Sequence, residues 1–370
     1  MGAARPGHPA LAPSPQLAWS APIGQGDARR QRLATDPVVA GSAVFTLDAR
    51  ARVQATSTAG QAIWSVDLTP PGQRSPTASG GGLAVDGGRL FVTSAFAFVA
   101  ALDAATGREI WRQDLNAPIT SPPTVQGDRV FVTAADSTMW SMDVATGRID
   151  WTNTGTDSIT TVARGAAPAV TGDLVILPSK AGELTAMRRA NGGVAWTSVV
   201  AGRRVGAAYA AISSITGDPV VDGGRIYAAN HQGRLVALEA RTGNEIWTAR
   251  EAAFGPVWPA GGSVFLISDE NRLLRLNAAD GSLIWAVELP LYQPTRRERN
   301  RLAIFAQHGP VLAGGRLWVT SSDGALRGFD PASGAMQVET GVPGGAASGP
   351  VVAGQTLYVL ARDGRLHAFR

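Results

Sequence analysis

The chain has 370 residues, 45% of them apolar and 17% charged, a composition that excludes a disordered polypeptide. Its formal net charge is only +4 and no basic tract is interleaved with aromatics, which argues against nucleic-acid binding. There is no Cys, which removes disulfides, thiolate metal sites and Cys nucleophiles, and no apolar run approaches the roughly 18 residues of a membrane helix, so the chain reads as soluble.

Residues 1–16, MGAARPGHPALAPSPQ, lack the apolar stretch of a signal peptide and are expected to form a flexible leader. Next comes QLAWSAPIG, a strand-like stretch with Trp19 and no earlier strand to pair with. From residue 36 the chain repeats itself. Each unit opens with a short apolar strand, as in DPVVAGSAVFT (36–46), DPVVDGGRIYAA (218–229) and GPVLAGGRLWVT (309–320). A Pro starts it at Pro37, Pro123, Pro168, Pro219, Pro256, Pro310 and Pro350, and Leu83 takes that place in the second unit. A Gly-Gly or Gly-Asp pair then supplies positive φ for a tight hairpin into a second strand. A turn such as SDG or RDG leads to a third strand, and a Thr-Gly-type turn to a fourth.

The fourth strand carries the most regular mark in the sequence. Trp follows Gly by four residues at Gly60/Trp64, Gly107/Trp111, Gly147/Trp151, Gly192/Trp196, Gly243/Trp247 and Gly281/Trp285. The seventh copy, DPASGAMQV, has Gly334 but Val338. Asp103, Asp143, Glu239, Asn277 and Asp330 precede these turns and are expected to accept turn N–H groups, with Gly in the left-handed conformation. Each indole is expected to pack between its own blade and the next, its N–H satisfied by a neighbouring turn carbonyl. The units recur roughly every 40 to 50 residues, the period of propeller blades. The last one ends at Arg370 after its third strand. Residues 17–23, with Trp19, are therefore predicted to complete it. The expectation is an all-β, eight-bladed β-propeller of four-stranded antiparallel blades: one domain over 17–370, its last blade closed by the N-terminal strand.

A run of acidic-x-x-Thr-Gly-x-x-x-Trp repeats resembles the PQQ-like, or quinoprotein-type, propeller repeat, over almost the whole chain. Two groups carry it. The PQQ-dependent dehydrogenases hold a quinone and Ca²⁺ at the axis, commonly beneath a vicinal disulfide. This chain has no Cys, and no set of Glu, Asn and Asp ligands can be assigned. The second group is the BamB family, propeller lipoproteins of the outer-membrane β-barrel assembly (BAM) machinery. The chain is similar to it in length, blade count and split last blade.

The second resemblance implies a non-enzymatic scaffold without cofactor or metal, at the periplasmic face of the outer membrane of a Gram-negative bacterium. Attachment would be through a lipid anchor outside this sequence. The implied partners are the POTRA domains of BamA, other assembly subunits and unfolded outer-membrane proteins. The stretch 161–196 is similar to the family's central segment, and Arg164 matches the Arg of its partner surface. Thr161, Val162 and Ala163 replace the Leu residues often found before it. Ser214 and Thr216 stand where a neighbouring family loop carries acids. Other readings are a PQQ-dependent dehydrogenase and an unrelated extracytoplasmic propeller that binds proteins.

Two connections are longer than a hairpin needs: 199–217, with Arg203, Arg204 and Tyr209, and 289–307, with Arg296, Arg297, Arg299 and Arg301. The first, with Val162, Arg164, Ser214 and Thr216, is the expected partner site. Tyr292 and Phe305 are candidate anchors of a second patch. His8, His231, His308 and His367 show no metal-ligand spacing. Trp140, Trp258 and Trp318 are expected in blade packing.

Overall fold

The computed structural model describes residues 9–28, 31–33, 35–73, 80–156, 165–200, 214–231, 233–294 and 303–370. These form eight four-stranded antiparallel sheets, the blades of a propeller, with no helix among the described residues. Blade 1 comprises Val38–Ala40, Ala43–Leu47, Arg52–Ser57 and Ala62–Asp67. Innermost and outermost strands are Gly81–Asp86 and Glu109–Asp114 in blade 2, Thr124–Gln126 and Ile149–Thr154 in blade 3, and Ala169–Thr171 and Val194–Val199 in blade 4. They are Val220–Asp222 and Glu245–Ala249 in blade 5, Trp258–Ala260 and Leu283–Glu288 in blade 6, and Gln307–Ala313 and Met336–Gly341 in blade 7. Blade 8 runs outward from Val351–Ala353 through Thr356–Ala361 and Arg365–Phe369 to Leu17–Pro22, so the N-terminal strand closes the ring as predicted.

Second and third strands read as apolar runs because both faces of each sheet are covered. The buried apolar residues fall into eight clusters, one at each junction between adjacent blades. The core is thus eight thin layers around an axis, each shared by two sheets that could not stand alone.

The Trp pattern has a geometric cause. Seven indoles (Trp19, Trp64, Trp111, Trp151, Trp196, Trp247 and Trp285) lie against the turn Gly of the next blade, from Trp19 on Gly60 to Trp285 on Gly334. Those glycines have φ between +71° and +89°. A methyl group on them would sit 2.4–3.0 Å from the indole ring. Each indole N–H donates to a carbonyl of the same turn at 2.9–3.3 Å, for example Trp111 to Val144 and Trp151 to Arg189. Six of the seven also meet an aromatic of their own blade's second strand, such as Phe91 or Tyr227, with ring centroids 5.9–6.1 Å apart. Such pairs add about 0.5–1.5 kcal/mol beyond area burial.

The turns themselves are held by the predicted acids. Asp103, Asp143 and Asp330 each accept two backbone N–H groups and a hydroxyl at 2.7–3.1 Å. These bonds, led by the Thr106 hydroxyl at Asp103, hold the carboxyls below their ordinary range. Asn277 accepts from Ala279 N–H, whereas Glu239, one methylene longer, takes the Thr242 hydroxyl at 2.5 Å.

The junction of blades 7 and 8 is built differently. Blade 8 closes with two separate chain segments, Gln16 and Arg370 exchanging both backbone bonds at 2.7 and 2.9 Å, so no Thr-Gly turn is present to receive an indole. Val338 stands in the outer strand, and Trp318 of the second strand is fully buried across Gly328 instead. The remaining space is taken by Leu11, 8% exposed, which packs with Trp318, Val338, Val352 and Phe369. Pro9 accepts the Gly314 N–H at 2.9 Å and Pro15 the Thr340 hydroxyl at 3.4 Å. Residues 9–16, placed outside the propeller in the sequence reading, are thus seated on this seam.

His367, 1% exposed, pins the closing strand. Its Nε2–H donates to the Pro343 carbonyl at 2.9 Å, which leaves Nδ1 to accept the Ser20 hydroxyl at 2.6 Å. Burial pushes its pKa down; the Pro343 bond and Asp363 oppose this, and Arg365 adds to it. The folded ring therefore takes up its proton at lower pH than the unfolded one. Its contribution is complete above the ordinary imidazole range and is lost as pH falls through that range towards the folded value. Between about pH 7 and about pH 5, the melting temperature of the native chain should fall further than that of His367→Gln. Parallel slopes in calorimetry would rule out this role for His367.

Candidate docking face

Antiparallel alternation sends the structure's turns to two opposite ends. The first-to-second and third-to-fourth turns, with the Trp contacts, lie at one end. The second-to-third turns and the crossovers between blades lie at the other, the loop face, where the variable segments gather.

The crossovers are bound to the turns of the blade they enter. Ala135 N–H donates to Pro118 O at 2.8 Å, Asp269 N–H to Ala252 O at 3.2 Å and Ser322 N–H to Ala306 O at 2.9 Å. They are also bound to one another. The Ala167 N–H donates to Asp218 at 2.7 Å, joining the crossover into blade 4 to the crossover into blade 5. Thr216 Oγ1 donates to Ala253 O at 2.6 Å, and Gly349 N–H donates to Asp36 at 2.9 Å. Hydrogen bonds therefore tie together the crossovers into blades 4, 5 and 6 and those into blades 8 and 1 at the base of the loop face.

Two of the sequence-predicted partner residues belong to this base. Ser214 and Thr216 are 2% and 7% exposed, on either side of the Ile215–Asn230 bridge. The Thr216 hydroxyl is turned into the fold, onto Ala253 O. Val162, Arg164, Arg203, Arg204 and Tyr209 lie outside the described residues, as do Arg296, Arg297, Arg299 and Arg301. The Ala167–Asp218 bond brings the ends of the two candidate loops together.

The 289–307 connection begins and ends as a two-stranded arm. Gln293 N–H donates to Ala303 O and Phe305 N–H to Leu291 O, at 2.9 and 2.8 Å, around a Tyr292–Ile304 bridge. Tyr292 and Ile304 are half exposed on it, and Phe254 is half exposed on the crossover into blade 6. Phe254 also stacks on His231, centroids 4.8 Å apart. Burial lowers the His231 pKa against the opposing pull of Asp269, which favours an uncharged ring beside Phe254. Sequence reading named Tyr292 but missed Phe254 and Ile304, whose setting appears only when adjacent crossovers meet.

Inside this rim, between blades 6, 7 and 8 and the approach to blade 1, is a cavity of about 670 Å³. It extends to Pro9 near the opposite end. Its walls include Leu33, Trp258, Ile267, Phe305 and Val351. Trp258 stands on an innermost strand where blades 1, 5 and 8 have Val38, Val220 and Val351; it is buried in the blade 6 to 7 junction, as expected, and also borders the cavity. Trp140 and Trp318 are buried within blade junctions.

The family model described as "Outer membrane protein assembly factor BamB" matches residues 49–287 and 290–370. No curated protein sequence matches the chain. Among solved structures, BamB from Moraxella catarrhalis has TM-score 0.79 at 19% identity, over 96% of this chain and 99% of that one. The quinohemoprotein alcohol dehydrogenase from Comamonas testosteroni has TM-score 0.72 at 15% identity, over 99% of this chain and 78% of that one. A europium-containing methanol dehydrogenase has TM-score 0.70 at 15% identity, over 93% and 84%. Likenesses at these identities establish the fold alone.

The dehydrogenase likenesses make it necessary to test the cavity against a quinone cofactor and its metal. PQQ is a tricarboxylate, and burying it requires paired cations. Among the described residues the lining has no Lys or Arg, and its one carboxylate, Asp36, accepts the Gly349 N–H. No group of three His, Cys, Asp or Glu among the described residues could hold a metal ion. Among the described residues, the lining does not fit the quinone or its metal.

Proposed function

Since the chain belongs to the outer membrane protein assembly factor BamB family, we propose that it acts as a non-enzymatic scaffold in outer-membrane β-barrel assembly. Its loop face would bind the POTRA domains of the BamA barrel subunit. The proposed site is the pair of loops carrying Val162, Arg164, Arg203, Arg204 and Tyr209, with Ser214 and Thr216 holding the base of the second.

The observation that carries this reading is the hydrogen bonding between crossovers at the base of the loop face, above all Ala167 N–H to Asp218 at 2.7 Å. A preformed base lowers the ordering cost of a docking surface. The exposed Phe254, Tyr292 and Ile304 offer apolar anchors further round the same face. We place the protein at the periplasmic face of the outer membrane of a Gram-negative bacterium, attached by a lipid anchor. No helix among the described residues is long and apolar enough to cross a membrane.

The test is calorimetric titration with the BamA POTRA domains. Arg164→Glu should weaken binding about tenfold or more, the usual scale for reversing a charge at an interface centre. Full affinity in the variant would remove Arg164 from the site. No binding by the native chain would remove the partner.

A further inference from the structure

We propose that the axial cavity between blades 6, 7 and 8 is a binding site for a neutral aromatic small molecule. Four observations carry this. At about 670 Å³ the space falls within the range of small-molecule sites, roughly 300–1,000 Å³. It is off-centre in the ring, on the side where three aromatics from separate elements converge: Phe254 from a crossover, Trp258 from an innermost strand and Phe305 from the arm. Rings in such an arrangement favour another ring by offset or edge contact as well as by area.

The wall is also pre-formed. Asn271, 5% exposed, donates to the carbonyls of Pro290 and Phe305 at 3.1 and 3.0 Å, and Gln307 Nε2 donates to the Pro290 carbonyl at 2.8 Å. These bonds fix the arm that carries Phe305 to blade 6, so little ordering remains for a ligand to impose.

Charge selects the ligand class. The lining offers no Lys or Arg among the described residues, and the Asp36 carboxylate would repel an anion. An anion would find only the His308 imidazole to set against that carboxylate, and a cation only Asp36, itself already engaged by the Gly349 N–H, so neither regains its lost hydration in full. A neutral ring system gains apolar contact without stripping the hydration from a charge.

The experiment uses the full chain and N-phenyl-1-naphthylamine, an uncharged two-ring-system probe that fluoresces in apolar surroundings. A saturable rise with one probe per chain is expected. Ala347 lines the cavity from the blade 7 to 8 crossover. Ala347→Trp should fill the space and weaken the probe about tenfold or more at an unchanged melting temperature. Val351→Phe, on the innermost strand of blade 8, provides the same test if the first variant does not fold. PQQ, the anionic comparison, should fail to displace the probe.

A non-saturable signal would overturn the proposal. So would undiminished binding in a folded, cavity-filled variant, or displacement by PQQ. None of these outcomes bears on POTRA binding.

Discussion

Gly147→Ala should lower stability far more than Gly87→Ala. Both glycines have left-handed backbones, with φ of +73° and +53°. The difference is what surrounds them. Nothing lies within 4 Å of a methyl group at Gly87, whereas at Gly147 it would sit 2.5 Å from the indole of Trp111. The Gly87 variant therefore bears only the backbone term, about 1–2 kcal/mol. At Gly147 the ring must retreat. That adds overpacking or lost packing of about 1–3 kcal/mol and weakens the Trp111 N–H bond to Val144, worth about 1 kcal/mol. The expected total is about 3–6 kcal/mol, read as a shift in the denaturant midpoint at constant m-value. Equal losses at the two sites would mean that the Trp–Gly contact is incidental and that only turn conformation matters.

Removal of residues 1–23 should be more severe still. It strips the outer strand from blade 8, and with it the Trp19 contact to Gly60, the indole bond to Thr58 O and the Ser20 partner of His367. The Arg365–Phe369 strand becomes an open edge, an invitation to association. Aggregation, or a melting temperature lower by about 10 °C or more, is expected. A milder change separates the seam from the strand: Leu11→Ala should cost about 2–4 kcal/mol, as for a core leucine, and leave the native size-exclusion profile unchanged. If Leu11→Ala is silent, residues 9–16 only rest on the blade 7 to 8 junction without holding it.

The wheel was legible because one stereochemical requirement recurs. A ring stacked on a left-handed turn needs Gly there, and the Trp four residues after that Gly stacks in turn on the Gly of the next blade, so the pair recurs in unit after unit. The split blade followed from counting strands at Arg370 and finding the missing one at Trp19. The seam did not show itself. Leu11 sits among Ala and Pro with no period around it, and the exchange of indole from position 338 to 318 requires Gly328 to be read with both.

Site chemistry was less accessible for a related reason. Ser214 and Thr216 look like loop polars, yet their small hydroxyl side chains fit within the base, where Thr216 bonds to Ala253 O. The arm around Tyr292 and Ile304 read as an irregular connection because its two sides are separated by an Arg-rich stretch with no strand pattern. The cavity depends on three blades arriving together, and no local stretch of sequence encodes that.

The reciprocal bonds between Gln16 and Arg370 also bear on the topology of the gene. The segment before Gln16 stays close to Arg370, Ala10, Leu11 and Ala12 bordering one small cavity with it, so a peptide linker from Arg370 to Pro9 would leave Leu11 in the seam. Circularly permuted versions, reopened at a peripheral hairpin such as Gly127-Asp128, would keep every blade and relocate only the break in the chain.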